Sequence, residues 1–410
     1  MSEGEEPTMS IMSNAFKPVI KEHMEGVKSA TLPIAGMVWF ETGEGAVLID
    51  TLLTVASAEQ VVEHIKGPIK YIIYTHGHAD HVGGAKAFLK DDPKILGGLY
   101  LPDRFDRYKF LEPYRNLGAA MQFNIPPTAF GDGLKEYVYP TETIFGEYTF
   151  KLGNMTFECH SGRAETDDVI WVYIPEIKTA CIGDLMIGKM FPNIGNPWKP
   201  TRFALDWAKE LEKVRALEPE YIFCNGGGVL YEGKHVNAAL DANIEVIRSL
   251  HDQVVKYINE EVHITEMIHL VKVPDHLKKS RYLKQFYSRP EFFVFNLYRW
   301  YHGYWDHNPA HLIPRPEKEV MKEIFGLIGD DQKVILQATT LLEQGKAQLA
   351  LQVLDVLLQA EPENLEAIKL RIKLLNALAK GDKCLMSHNA YLFLAKRDKK
   401  KIREIRKKNK

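Results

Sequence analysis

The chain has 410 residues, 45% of them hydrophobic and 26% charged, a balance that excludes a disordered or fibrous protein and leaves room for two globular domains. Its formal net charge of −2 excludes a global pull toward nucleic acid or an anionic membrane. The cysteines Cys159, Cys181, Cys224 and Cys384 form no C-x-x-C pair, which excludes a disulfide framework or a cysteine-built zinc site and fits reduced thiols in a cytoplasmic protein.

Residues 1–15, opening "MSEGEEPTMS", are acidic and polar and read as a flexible tail without the apolar core of a signal peptide. No apolar run approaches the length of a membrane span. "MVWFETGEGAVLIDT" then gives two β-rich runs around a Gly-Glu-Gly turn, a hairpin pattern. "SAEQVVEHIKG" has a Ser N-cap, a helical apolar period and a closing glycine. "IKYIIYTH" reads as a buried strand, and "VGGAKAFLK" starts another helix. Residues 99–135, aromatic and basic with Pro126-Pro127, read as irregular, a lid or pocket wall. Strands return in "YTFKLGNMTFECHS", "DDVIWVYIPE" and "KTACIGDLM"; a helix over "TRFALDWAKELEKVRAL" leads to a last strand, "YIFCNGGG". Strands interleaved with helices point to a layered α/β domain over residues 16–240.

Beyond it the pattern is helical. "HVNAALDANIEVIRSLHDQVVKYINE" keeps heptad-like apolar spacing, and residues 338–379 read as a single helical hairpin. A helical domain is therefore expected over 241–380. In the tail, 381–410, ten of the last fifteen residues are Lys or Arg, and a solvated, partly frayed end is expected.

The chemistry is concentrated in "YIIYTHGHADHVGG". His76, His78, Asp80 and His81 follow a buried strand and precede Gly-Gly. In a turn after a strand, alternate residues reach into one pocket, and imidazole and carboxylate are the donors zinc prefers.

"THGHADHVGG", with "VLIDT" and its Asp50 upstream, resembles the metallo-β-lactamase superfamily. The resemblance implies an αββα sandwich with a metal pair: His76 and His78 on the first metal, Asp80 and His81 on the second, Asp184 of "CIGDLM" bridging them, and Asp50 supporting the site from below. "NLYRWYHGYWDHNPAHLIPRP" and "LHDQVVKYINEEVHITEMIHLVKVPDHL" are similar to the alkyl sulfatases of that superfamily. This second resemblance runs in order over residues 20–380 and implies an all-α dimerisation domain and a homodimer.

The same resemblance offers two residues to complete the first metal site. Many members use a histidine on a later strand, alkyl sulfatases a glutamate in a turn; "CHSGRAETDDVIWVYIP" contains both His160 and Glu165, and the spacing to "YIP" favours Glu165. Asp167 and Asp168 read as turn residues. The histidine expected after the last strand is missing, since Asn225 to Gly228 stand there; His235 could serve only through a bent loop. One or two Zn2+ ions per chain are thus expected, the second with an open position. Arg202 corresponds to a sulfatase arginine and is expected to grip sulfate oxygens. The implied reaction is hydrolysis of a small alkyl sulfate by metal-activated water, with Asp80 or Asp184 orienting or deprotonating it. Tyr114, Arg115 and Met121 are candidates to receive the alkyl chain. Two alternatives stay open: hydrolysis of another ester, thioester or lactone, and a metal-binding oligomer with little catalysis. Nucleic acid is not an expected partner.

Overall fold

The computed structural model describes residues 17–127, 136–224 and 229–408. The expected tail at 1–15 and the Asn225–Gly228 stretch, where a ligand histidine is missing, lie outside the described residues.

Among the described residues the strands form two sheets. The first has seven strands in chain order: β1 (Val19–Met24), β2 (Val27–Thr31), β3 (Gly36–Glu41), β4 (Ala46–Ile49), β5 (Ile69–Ile73), β6 (Lys94–Gly98) and β7 (Glu142–Ile144). Pairing is antiparallel from β1 to β4 and parallel from β4 to β7. The second has six: β8 (Glu147–Leu152), β9 (Met155–Gly162), β10 (Val169–Ile174), β11 (Thr179–Cys181), β12 (Tyr221–Cys224) and β13 (Val229–Glu232). The expected hairpin is β3 and β4, paired Val38 to Ile49 and Glu41 to Ala46.

The period-2 geometry of a strand divides each sheet into two apolar faces. Val38, Phe40, Val47, Ile49, Ile73 and Leu96 pack against Phe157, Cys159, Ile170, Val172 and Phe223 between the sheets. The opposite face of the first sheet, Trp39, Leu48 and Ile72, is covered by Ala58, Val61, Phe88, Leu101 and Phe105. Trp171, Tyr173 and Ile222 of the second sheet are covered by Trp207 and Leu211 of the helix Ala204–Ala216. The result is an αββα sandwich. It explains why β10 reads "VIWVYI" without alternation: all six residues are buried because both faces are covered.

Several local expectations change. The cap of the helix Val55–Val62 is Thr54, whose side chain accepts from Ser57 N at 3.2 Å while Ser57 Oγ accepts from Thr54 N at 3.3 Å. Ser57 is thus the third helical residue of a capping box, not the N-cap. Residues 99–135, expected to be irregular, contain the helices Leu101–Phe110 and Glu112–Phe123. Leu101, Arg104, Phe105 and Tyr108 are buried at i, i+3, i+4 and i+7, and the arginine in this stripe hid its helical period.

The described residues divide into two compact units, one within 1–112, 130–284 and 288–301, the other within 113–129, 285–287 and 302–410. The boundary expected near 240 falls inside the first. Val236, Leu240, Val246, Leu250, Met267, Phe293, Val294 and Leu297 share a core with Trp207 and Leu211. In the second unit Ala338, Ala350, Leu354, Leu357, Ala367, Leu374 and Ile405 pack together. The basic end is not frayed there. It forms the helix Leu385–Lys408, held by Ile405 in that core and by an ion pair in which Arg371 Nε donates to Asp398 Oδ2 at 2.6 Å. No helix among the described residues is long and apolar enough to cross a membrane.

Candidate metal centre

The candidate ligands sit where β5, β9 and β11 end, with Asp50 beside them at the end of β4. Asp50 follows β4 with φ 61° and Leu52 with φ 66°, left-handed backbone that costs each residue on the order of 1 kcal/mol or more. Three hydrogen bonds hold Asp50 in place. Its Oδ1 accepts from Thr75 N at 2.8 Å; its Oδ2 accepts from Thr75 Oγ1 at 2.8 Å and lies 2.7 Å from His81 Nδ1. The helical turn Ala79–Val82 that carries Asp80 and His81 ends in the Gly-Gly of the motif. A Cβ on Gly83 or Gly84 would collide with the carbonyls of Leu53 and Thr51, so these glycines let the turn seat against the loop after β4.

Two groups of ligand atoms result. His76, His78, Glu165 and Asp184 form one, and Asp80, His81 and Asp184 the other; within each, the atoms lie within 4.8 Å of one another. Asp184, in the turn Gly183–Leu185 after β11, belongs to both. His76 Nε2 is 2.8 Å from His78 Nδ1 and 3.6 Å from Glu165 Oε2, and His81 Nε2 is 3.4 Å from Asp184 Oδ1 and 3.5 Å from Asp80 Oδ2. His81 Nε2, Glu165 Oε2 and Asp184 Oδ1 are buried and have no hydrogen-bond partner. A buried polar atom without a partner costs about 1–3 kcal/mol, so three of them converging on two points mark where cations fit. Imidazole nitrogens and carboxylate oxygens are also the donor set that divalent transition metals take.

The electrostatics follow the same plan. Burial alone would lower the His81 pKa, but the carboxylates of Asp50, Asp184 and Asp80 override it and hold His81 well above the usual histidine value. Burial and the neighbouring His81 push His76 well below that value; burial and His76 do the same to His78. Burial lifts the Glu165 carboxyl well above the ordinary carboxylate range, an effect Arg202 opposes and Asp184 reinforces. For Asp184 the cost of burial is outweighed by His81, which holds its carboxyl below that range. Metal-free, His81 is the cation of its group; an added metal ion takes over that part.

Around these groups lie residues that local sequence does not signal. Asp168 Oδ2 accepts from Gly77 N at 2.8 Å and its Oδ1 accepts from Arg104 Nε at 2.6 Å, while Arg104 Nη2 also pairs with Asp167. Asp167 and Asp168 lie in a turn, as expected, and from it they also support the histidine loop. Glu165 Oε1 is held by Arg202 Nη1 and by Asn193 Nδ2 at 3.1 Å.

Two expectations are corrected here. His160 joins neither group. Cys159 faces the intersheet core, so alternation along β9 turns His160 to the opposite face, where its ring stacks on Trp171 at 4.0 Å and 14°. Arg202 is not a free sulfate clamp: it is 2% exposed, and its Nη1 donates to Glu165 Oε1 and to Asn193 O at 2.6 Å. His235 Nδ1 lies 2.8 Å from Tyr282 Oη and is in neither ligand group.

Comparison with known proteins agrees with the fold that carries this centre. Residues 35–226 match the family description of the metallo-beta-lactamase superfamily, and residues 263–401 match that of alkyl sulfatase dimerisation. A linear primary-alkylsulfatase of Pseudomonas sp. (strain ATCC 19151) is 23% identical over 383 residues, 87% of this chain and 72% of the relative. An alkyl/aryl-sulfatase of Saccharomyces cerevisiae is 23% identical over 401 residues, 88% of this chain and 60% of the relative. The solved structure of a stereoselective inverting sec-alkylsulfatase from Pseudomonas sp. superposes with a TM-score of 0.83 at 22% identity, over 93% of this chain and 65% of that one. The chain thus spans between about three fifths and three quarters of the length of these relatives. Along the chain, a match to the metallo-beta-lactamase superfamily over residues 35–226 is thus followed by a match to alkyl sulfatase dimerisation over residues 263–401.

Proposed function

We propose that this chain is a metal-dependent hydrolase of alkyl sulfate esters that works as a homodimer with zinc in its centre. The observation that carries the reading is the convergence of three buried, partnerless atoms, His81 Nε2, Glu165 Oε2 and Asp184 Oδ1, on two groups of metal donors. His76, His78, Glu165 and Asp184 would hold one ion, and Asp80, His81 and Asp184 the other. Divalent ions held there supply Lewis acidity toward an ester oxygen and acidify a neighbouring water. The protein's own groups do the rest. Asp50 holds the His81 ring in one orientation. Asp80, with a side chain 30% exposed, is the ligand open to solvent and is placed to orient a water and accept its proton. Lys199 and Arg202 contribute positive charge around His78, where a sulfate would be met.

The substrate class rests on the alkylsulfatase relatives together with the alkyl sulfatase dimerisation match. The dimer is supported by apolar residues left exposed in the second unit, among them Tyr304 at 91%, Ile313 at 89% and Leu327 at 90%. Four buried, free cysteines support a reducing, cytoplasmic setting.

The test is inorganic sulfate release from octyl sulfate by protein as purified, after chelation, and after zinc is returned. Release that stops with the chelator and returns with zinc is expected. Metal-loaded protein that releases no sulfate would remove the sulfate ester from the reading. Freshly purified protein without metal would remove the hydrolase.

A further inference from the structure

Asn296 lies outside the residues that match the metallo-beta-lactamase superfamily, on the helix Pro290–Tyr301 of the dimerisation match, yet it is tied to the metal centre. Its side chain, 1% exposed, grips both backbone groups of Arg202: Oδ1 accepts from Arg202 N at 2.8 Å and Nδ2 donates to Arg202 O at 2.9 Å. One amide that satisfies the N–H and C=O of a single buried residue fixes where that residue's side chain starts. The rest of the connection is short. Arg202 Nη1 and Asn193 Nδ2 both donate to Glu165 Oε1. Glu165 Oε2 is left partnerless, 3.6 Å from His76 Nε2 and 3.9 Å from His78 Nδ1.

The same helix also packs against the interior of the segment that carries Asn193 and Arg202. Gly195 has φ +105°, and a Cβ on it would collide with the carbonyl of Phe292. Ile194 and Phe191 share a core with Phe293, Val294 and Leu297. At the start of the segment, Phe191 N donates to Lys284 O at 2.9 Å. The stretch from Phe191 to Arg202 is therefore shaped by Lys284 and the helix Pro290–Tyr301 as well as by the sheets.

We propose that Asn296 is a positioning residue for the metal centre: by fixing the Arg202 backbone it sets the direction of Glu165 Oε2, and with it the affinity of the group formed by His76, His78, Glu165 and Asp184. The inference rests on the reading of those four residues as metal ligands. It makes the helix Pro290–Tyr301 part of the construction of the centre, and not only of an assembly surface.

Zinc titration of the metal-stripped full chain against a chromophoric chelator tests this, on wild type, Asn296→Ala, Glu165→Gln and the double variant, with thermal melts alongside. Loss of a group that orients a ligand directly costs roughly 10–100-fold in metal affinity, and because Asn296 acts one residue further back, through Arg202, the lower end of that range, roughly tenfold, applies. Asn296→Ala is expected to weaken one zinc equivalent by that factor and leave the other, on Asp80, His81 and Asp184, within about twofold. In the Glu165→Gln background the same substitution is expected to have no further effect. Equal weakening of both equivalents, or multiplicative effects in the double variant, would overturn the proposal, since general loosening of the fold gives those results. Should Asn296→Ala not fold, Asn296→Ser, which keeps a hydroxyl for one of the two bonds, is read by the same criteria. Wild type that binds no zinc would sink the metal reading itself; wild type that binds two equivalents with Asn296→Ala unchanged would sink only this inference.

Discussion

Asp50→Asn changes one atom beneath the metal centre, and its effect follows from proton placement. In the wild type Asp50 Oδ2 lies 2.7 Å from His81 Nδ1, so when His81 gives up one proton to take a metal ion, the carboxylate keeps the remaining one on Nδ1 and leaves Nε2 facing Asp184 and Asp80. Asparagine keeps the shape, and its Oδ1 still accepts from Thr75 N. Its amide nitrogen, however, replaces Oδ2 and can only donate. His81 Nδ1 must then accept, which moves the ring proton to Nε2 and blocks the ligand atom. A hydrogen bond to a charged group contributes about 1.5–3 kcal/mol, and a tenfold change corresponds to about 1.4 kcal/mol. The zinc equivalent on Asp80, His81 and Asp184 is therefore expected to weaken by about 10–100-fold. The equivalent on His76, His78 and Glu165 should hold. Metal-free, the variant should also lose stability, because buried His81 loses the carboxylate that does most to hold its raised pKa. Zinc titration gives the two affinities, and nitrogen chemical shifts of His81 give the tautomer. Equal weakening of both equivalents, or an unprotonated Nε2 in the metal-free variant, would refute the reasoning.

The other predictions concern charge and orientation. Asp184→Asn removes the carboxylate shared by both groups and is expected to lower zinc content at both; an unchanged metal count by elemental analysis after dialysis would show that Asp184 is not shared. Metal-stripped protein is expected to lose stability as the pH rises above 6.5. The raised pKa of His81 contributes stability that is complete below 6.5 and lost as pH climbs through the raised value, and Glu165 does the same from 4.5 upward. His76 and His78, with lowered values, contribute stability above 6.5 and lose it only toward acid, so they cannot offset the decline. Thermal melts of stripped protein between about pH 6.5 and 9 should slope downward and flatten on adding zinc; a rising Tm would contradict the assigned shifts. His160→Ala removes a ring stacked on Trp171 and should cost about 1 kcal/mol in urea unfolding with zinc content unchanged; a lost zinc equivalent would return His160 to the ligand set.

Much of the sandwich was legible because its strands are short and apolar and its ligands stand at strand ends, a position that sequence can reveal. His76, His78, Asp80 and His81 share one turn, so their spacing alone suggests convergence. Arg104, Asn193 and Asn296 were missed for the opposite reason: each acts on a partner far along the chain, up to 94 residues away for Asn296 and Arg202. Nothing in "FFVFNLY" marks its asparagine as a backbone clamp. Density of charge hid two further elements. Arg104 interrupts the apolar stripe of one helix, and the lysines of the C-terminal helix obscure the inward line of Ala395, Asp398 and Ile405.

That C-terminal helix also makes net charge a poor guide to how the molecule behaves beside other charged matter. Lys396, Lys400, Arg403 and Lys407 fall at i, i+4, i+7 and i+11, sharing one exposed face about 16 Å long, with Glu404, 3.9 Å from Lys400, the only acidic ion partner among the described residues. With a total of −2, the remainder of the chain must carry the compensating negative charge. Charge is thus distributed unevenly along the chain. Its retention on ion exchangers, its salt-dependent solubility and the orientation in which it approaches a charged surface follow from this separation of charge, not from the near-zero sum.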